Sequence, residues 1–182
     1  YGKKSDFLLY GICIFGFLGI NGTYNFVVLF MLGIRVYLEK KYPDKDYLIG
    51  FVIGCAVLSK HTVGIFFILP SIIYYFSDLK KLFRRAIGFM IPCLIFLIYL
   101  LYNQALYPFI DLCFLGLLDF SNDNGRPFSL YFFLSILLLI IQIVITIKNK
   151  KDIRNCYLIM GFSFTIPIFD FHHFSIYIVC FI

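Results

Sequence analysis

An all-α, polytopic transmembrane helix bundle is the fold class that this sequence predicts, and three observations predict it. Hydrophobic residues make up 62% of the 182 and charged residues 14%, against about 25% charged in an ordinary soluble domain. The 16 basic and 10 acidic side chains sit in short clusters between long apolar runs, too few and too grouped to cover a soluble core. When those runs are threaded in order across a bilayer, 14 of the 16 basic residues fall on one side, as in cytoplasmic loops.

The same numbers exclude other classes. Disorder does not fit 24 Phe and 14 Tyr, and there is neither a glycine period for collagen nor a sustained heptad for a coiled coil. A net charge of +6 would suggest nucleic acid for a soluble chain. Here the cations end apolar runs and report topology, so no nucleic-acid partner is expected. Cys13, Cys55, Cys93, Cys113, Cys156 and Cys180 stand singly, with no CxxC pair and no metal-ligand spacing. They read as small buried residues, and neither a metal nor a cofactor is expected. The chain opens on Tyr1 and stops at Ile182 within an apolar run, which reads as a single transmembrane domain over 1–182 taken from a longer protein.

Taken in order, the runs are 7–20, 24–38, 47–59, 63–77, 86–102, 128–147 and 156–169, with 173–182 as the start of an eighth. Residues 86–102 and 128–147 are 17 and 20 long and free of charge, enough to cross roughly 25 to 30 Å of hydrocarbon. The shorter runs need extended ends or a thinned bilayer. With no Trp in the chain, Tyr24, Tyr37, Tyr47, Tyr74, Tyr75, Tyr102 and Tyr107 are expected at the interfaces. The cytoplasmic side collects Lys3, Lys4, Arg35, Lys40, Lys41, Lys45, Lys80, Lys81, Arg84, Arg85, Lys148, Lys150, Lys151 and Arg154. These read as solvated basic stops without chemistry, and the amino end is placed inside.

The outer side keeps Lys60 and Arg126 together with all three histidines, His61, His172 and His173. Polar residues at the outer ends of short helices are the usual mark of a membrane-embedded site. Lys60 and His61 stand between apolar runs with almost no room for a loop, so a lipid phosphate is a fitting partner for the ammonium; a snorkelling helix end is the plainer alternative. The outer loop 103–127 holds Pro108, an apolar block over 109–118 that reads as a short interfacial helix, and the turn sequence Asn124-Gly125-Arg126-Pro127. Asp111 and Asp119 fall on one side of such a helix, and Arg126 suits a bidentate phosphate grip. The loop is either a platform over a cavity or simply solvated. Asp170-Phe171-His172-His173 follows Pro167; hydrogen bonding to a hydroxylated substrate, a carboxylate orienting a histidine, and plain interfacial capping remain open there. Asn21-Gly22-Thr23 matches a glycosylation sequon but lies too near the membrane to carry weight.

Within 47–75, Gly50, Gly54, Lys60, His61, Gly64 and Pro70, followed later by Pro167, Asp170 and His173, form a pattern that resembles polytopic glycosyltransferases of the GT-C fold. That class includes protein mannosyltransferases and bacterial enzymes that add aminoarabinose to lipid A. The resemblance covers about half of the chain. It implies transfer of a sugar from a polyprenyl-phosphate donor to an acceptor lipid, glycan or protein on the outer side, in the plasma membrane of a bacterium.

The family's catalytic acid lies in the first outer loop. The first outer connection here, 21–25, has no Asp or Glu, so the acid is expected upstream of Tyr1, the catalytic residue is not assigned, and the segment alone is expected to be inactive. Lys60, His61 and Arg126 are then the candidate donor-phosphate ligands, and Asp170, His172 and His173 the candidate sugar or acceptor contacts. Membrane lipid is the surrounding partner. Two other classes compete: a polysaccharide polymerase or ligase, marked by a large outer loop late in the chain, and a non-enzymatic transporter, marked by the absence of an acidic outer loop.

Overall fold

A computed structural model describes residues 23–116, 130–148 and 152–163. Among them every regular element is helical. Helix α1 spans Thr23–Lys41 and α2 spans Asp46–Ser59, joined by a four-residue turn containing Pro43. A short α3, His61–Gly64, passes into a 3-10 segment, Ile65–Ile68, and then α4, Leu69–Tyr75. Helix α5, Leu79–Tyr102, is followed by α6, Leu106–Ile110, and a π-helical turn, Asp111–Leu115. Helices α7, Leu130–Lys148, and α8, Ile153–Ser163, complete the described chain.

The run expected over 63–77 is broken, and Pro70 explains the break. Proline lacks an N–H for the carbonyl four residues earlier and crowds it; the chain before it tightens into 3-10 geometry, where the Leu69 N–H reaches the Phe66 carbonyl instead. Helix α5 begins seven residues before the charge-free run, because Asp78 caps it by accepting from the Lys81 N–H at 3.1 Å. It stops at Tyr102 in a Schellman turn. Ala105 N–H donates to the Leu100 carbonyl at 2.8 Å and Gln104 N–H to Leu101 at 3.2 Å, with Gln104 in the left-handed region at φ 53°. Phe109 of α6 then meets Phe96 of α5 edge to face, ring centroids 5.3 Å apart. The helical stretch within the loop 103–127 thus begins at Leu106, earlier than the apolar block; Asp111 is exposed in it, and Asp119 lies outside the described residues.

The closest helix pair is α2 with α5, and glycine makes it possible. A side chain at Gly50 would collide with the Arg85 carbonyl, one at Gly88 with the Tyr47 carbonyl, and one at Gly54 with the Phe89 carbonyl and the Pro92 ring. Gly50-x-x-x-Gly54 is therefore a small-residue seam of the kind that lets two backbones touch. Around it, Val28 and Leu32 of α1, Ile49 and Ile53 of α2, Phe67 and Met160 of α8 form the apolar core. Helix α8 packs on α4 and on α7, where Gln142 Nε2 donates to Asn155 Oδ1 at 3.2 Å.

Among the described residues one helix, α5, is long and apolar enough to cross a membrane. Its 24 residues reach about 36 Å, and only 22% of its most apolar stretch is buried. Ile95, Ile98 and Tyr99 are each at least 60% exposed. Asp46–Ser59, Ile65–Tyr75 and Ile136–Lys148 are apolar but shorter.

Candidate functional site

Polar side chains gather at both ends of α2, and the two gatherings are built differently. At its carboxyl end the helix closes on itself: Ser59 Oγ donates to the Cys55 carbonyl at 2.8 Å and Lys60 N–H to the Ala56 carbonyl at 3.1 Å. Lys60 then turns extended, with φ −155° and ψ 92°. Its carbonyl accepts from Val63 N–H at 3.2 Å and Gly64 N–H at 2.7 Å, so the next helix starts at once. Gly64 lies against the Ala56 backbone with no room for a Cβ, which is why a one-residue reversal is possible here. Lys60 and His61 are both half-buried at this apex.

The amino end of α2 carries the ion cluster. Arg85 on α5 is 3% exposed and donates from Nη1 to Glu39 Oε1 at 2.6 Å, from Nη2 to Glu39 Oε2 at 3.3 Å and from Nε to Asp46 Oδ1 at 3.0 Å. Ser71 Oγ on α4 accepts from Arg85 Nη1 at 3.0 Å and from Arg35 Nη2 at 2.9 Å. Arg35 on α1 is wholly buried; its Nη2 also lies 3.5 Å from Glu39 Oε1. Tyr75 donates its hydroxyl to Glu39 Oε2 at 3.5 Å, and its ring lies under the Arg85 guanidinium, 4.2 Å from Cζ. The Tyr157 ring of α8 faces Arg35 at 5.1 Å. Two buried guanidiniums therefore meet two buried carboxylates, and five helices supply the parts.

This corrects the reading of the cytoplasmic cations as solvated stops. Arg35 and Arg85 are buried, and Arg84, with a side chain 44% exposed, reaches Asp46 Oδ2 at 3.3 Å. The reason is geometric. Arg35 points from α1 on the same face as Glu39 one turn later, and the glycine seam brings the α5 backbone close enough for Arg85 to span both acids. Among described residues Arg35 Nε and Nη1 have no hydrogen-bond partner; the guanidinium carbon lies 5.1 Å from the Tyr157 ring centroid, within cation–π range. At the exposed rim Lys81 pairs with Asp44 at 3.3 Å. Lys41 donates to Tyr37 Oη at 2.9 Å, and hydrogen bonds to Tyr37 and Tyr42 raise its pKa above the usual lysine value.

The structure separates Lys60 and His61 from the arginine cluster by the length of α2, 14 residues, about 20 Å. Arg126, Asp170, His172 and His173 lie outside the described residues. Among the described residues no group of three metal-ligating side chains occurs. Cys55, Cys93 and Cys113 are half-buried free thiols and Cys156 is buried. Glu39, Asp46, Ser71, Tyr75 and Tyr157 were not singled out from the sequence as a group. One signal was available: Arg35 lies inside the apolar run 24–38 rather than after it, and a cation within a run calls for a partner. Neither a known family, nor a curated protein, nor a solved structure matches the chain.

Proposed function

We propose that the chain is the membrane part of a GT-C-class glycosyltransferase. In this reading it is an integral protein of a bacterial plasma membrane, with seven spans and the start of an eighth. It moves a sugar from a polyprenyl-phosphate donor to an acceptor on the outer side. The observation that carries the reading is the position of Lys60, a cation at a one-residue reversal between apolar helices, at the end of α2 away from the arginine cluster. A carrier-lipid phosphate reaches such a depth by lateral diffusion. The long, largely exposed apolar surface of α5 supports the membrane setting.

In this mechanism the Lys60 ammonium and the Arg126 guanidinium stabilise the negative charge that grows on the phosphate as the glycosidic carbon–oxygen bond breaks. His61 donates a hydrogen bond to the same phosphate, and Asp170, His172 and His173 contact the sugar or acceptor. The acceptor hydroxyl is deprotonated by a carboxylate supplied from elsewhere in the protein.

The test is Lys60→Met in the full-length enzyme, which keeps an apolar stem of similar length. Transfer from a polyprenyl-phosphate sugar in lipid vesicles is expected to slow by about 100-fold, the usual loss for one preorganised electrostatic group. Lys60→Arg should recover only part, because the guanidinium fork is larger and directed differently. Wild-type transfer by a normally expressed Lys60→Met protein overturns the assignment.

A further inference from the structure

The first two turns of α5 carry a feature that sugar transfer does not use. Leu79, Leu82, Phe83 and Ala86 follow at intervals of three, one and three residues, which places them on one face of the helix. With the aliphatic stem of Lys80 they line a shallow, wide-open groove of about 580 Å³ whose wall is apolar. Leu79 is 71% and Phe83 68% exposed, so no described element covers this face. Charge surrounds it unevenly. At this end of the bundle Lys40, Lys41, Lys45, Lys80, Lys81 and Arg84 stand at the rim, against Asp44 and Asp78. Among the described residues Lys81 pairs with Asp44 and Arg84 with Asp46, whereas Lys80 makes no ion pair.

We infer that this groove binds an anionic phospholipid of the inner leaflet, with an acyl chain along Leu79, Leu82, Phe83 and Ala86 and the headgroup phosphate at Lys80. The apolar stripe meets the chain, and the surplus of cations meets the headgroup at the depth where a helix leaves the bilayer. The basic rim raises the local concentration of anionic lipid, and Lys80 is the rim cation whose aliphatic stem lines the groove, which sets its ammonium at the groove's edge. The inference rests on α5 crossing the membrane, as proposed above.

Because the chain contains no Trp, Phe83→Trp provides a reporter inside the groove, any tryptophan elsewhere in the full-length protein being replaced by Phe. The protein is reconstituted in vesicles, and its emission is quenched with brominated phosphatidylglycerol or brominated phosphatidylcholine. Phosphatidylglycerol is expected to be preferred by about 5-fold, the effect of one lysine near a charged surface. Adding Lys80→Gln should remove that preference while quenching persists, and raised salt should weaken it. Equal quenching by the two lipids, or a preference unchanged by Lys80→Gln, overturns the lipid site and leaves the membrane placement standing. No quenching by either lipid overturns both.

Discussion

The two ends of α2 are built from different parts. At the amino end, arginines from α1 and α5 are buried against carboxylates from α1 and α2, with a serine and a tyrosine from α4 filling remaining positions. That arrangement is closed: each buried charge is answered by another part of the same chain, which fixes where five helices stand relative to one another. At the carboxyl end the backbone reverses at Lys60, and the lysine and histidine are half-buried at the turn itself. Buried ion pairs of the first kind add little net stability over an apolar core, but removing one member is expensive, because its partner is left charged and desolvated. Under the proposed sugar transfer, the contrast separates a region whose variants should fail in folding from one whose variants should fail in transfer.

Arg85→Met is the strongest way to test that separation. It strips Glu39 of its shortest contact and Asp46 of its buried one, so about 3 to 5 kcal/mol of stability should be lost. Thermal unfolding of the purified protein in detergent measures it, and transfer per folded molecule should change far less than for Lys60→Met. Normal stability combined with lost transfer would break the comparison and make the arginine cluster a reaction site. Gly50→Leu comes next. Its side chain would enter the space of the Arg85 carbonyl, forcing α2 from α5 at a cost of about 3 kcal/mol by the usual scale for overpacking. The same assay should show the loss, and Lys60 chemistry should again follow the folded fraction.

How much of this was legible in the sequence differs along the chain. The helical class came from composition and run length, which need no knowledge of partners, and the Lys60 reversal was visible because two apolar runs leave no room for a loop. Gly50 and Gly54 were noticed only as part of a family-like pattern; the structure gives them a physical role, as the surface on which α5 rests. The ion cluster was not legible, because Arg35 and Arg85 are 50 positions apart and nothing local says that they share Ser71. A basic residue near the end of an apolar run looks the same whether it faces water or a buried glutamate. The available hint was Arg35 itself, a cation inside the apolar run 24–38 rather than after it, since a solvated stop has no need to sit there.

The smallest expected effect concerns the part of the cluster that hydrogen bonds leave incomplete. Arg35 is wholly buried, bonds through Nη2 alone among the described residues, and presents its guanidinium to the Tyr157 ring at 5.1 Å. A desolvated cation over an aromatic face gains up to about 2 kcal/mol. Tyr157→Leu keeps apolar volume beside Met160 but removes the ring, so roughly 1 to 2 kcal/mol should be lost. Tyr157→Phe keeps the ring face and should retain that part of the stability. The pair of variants therefore distinguishes attraction to the ring from a role of the hydroxyl, which thermal unfolding of both resolves. If Phe costs as much as Leu, the ring is not what answers Arg35, and the closed character assigned to this end of α2 depends on the Tyr157 hydroxyl instead.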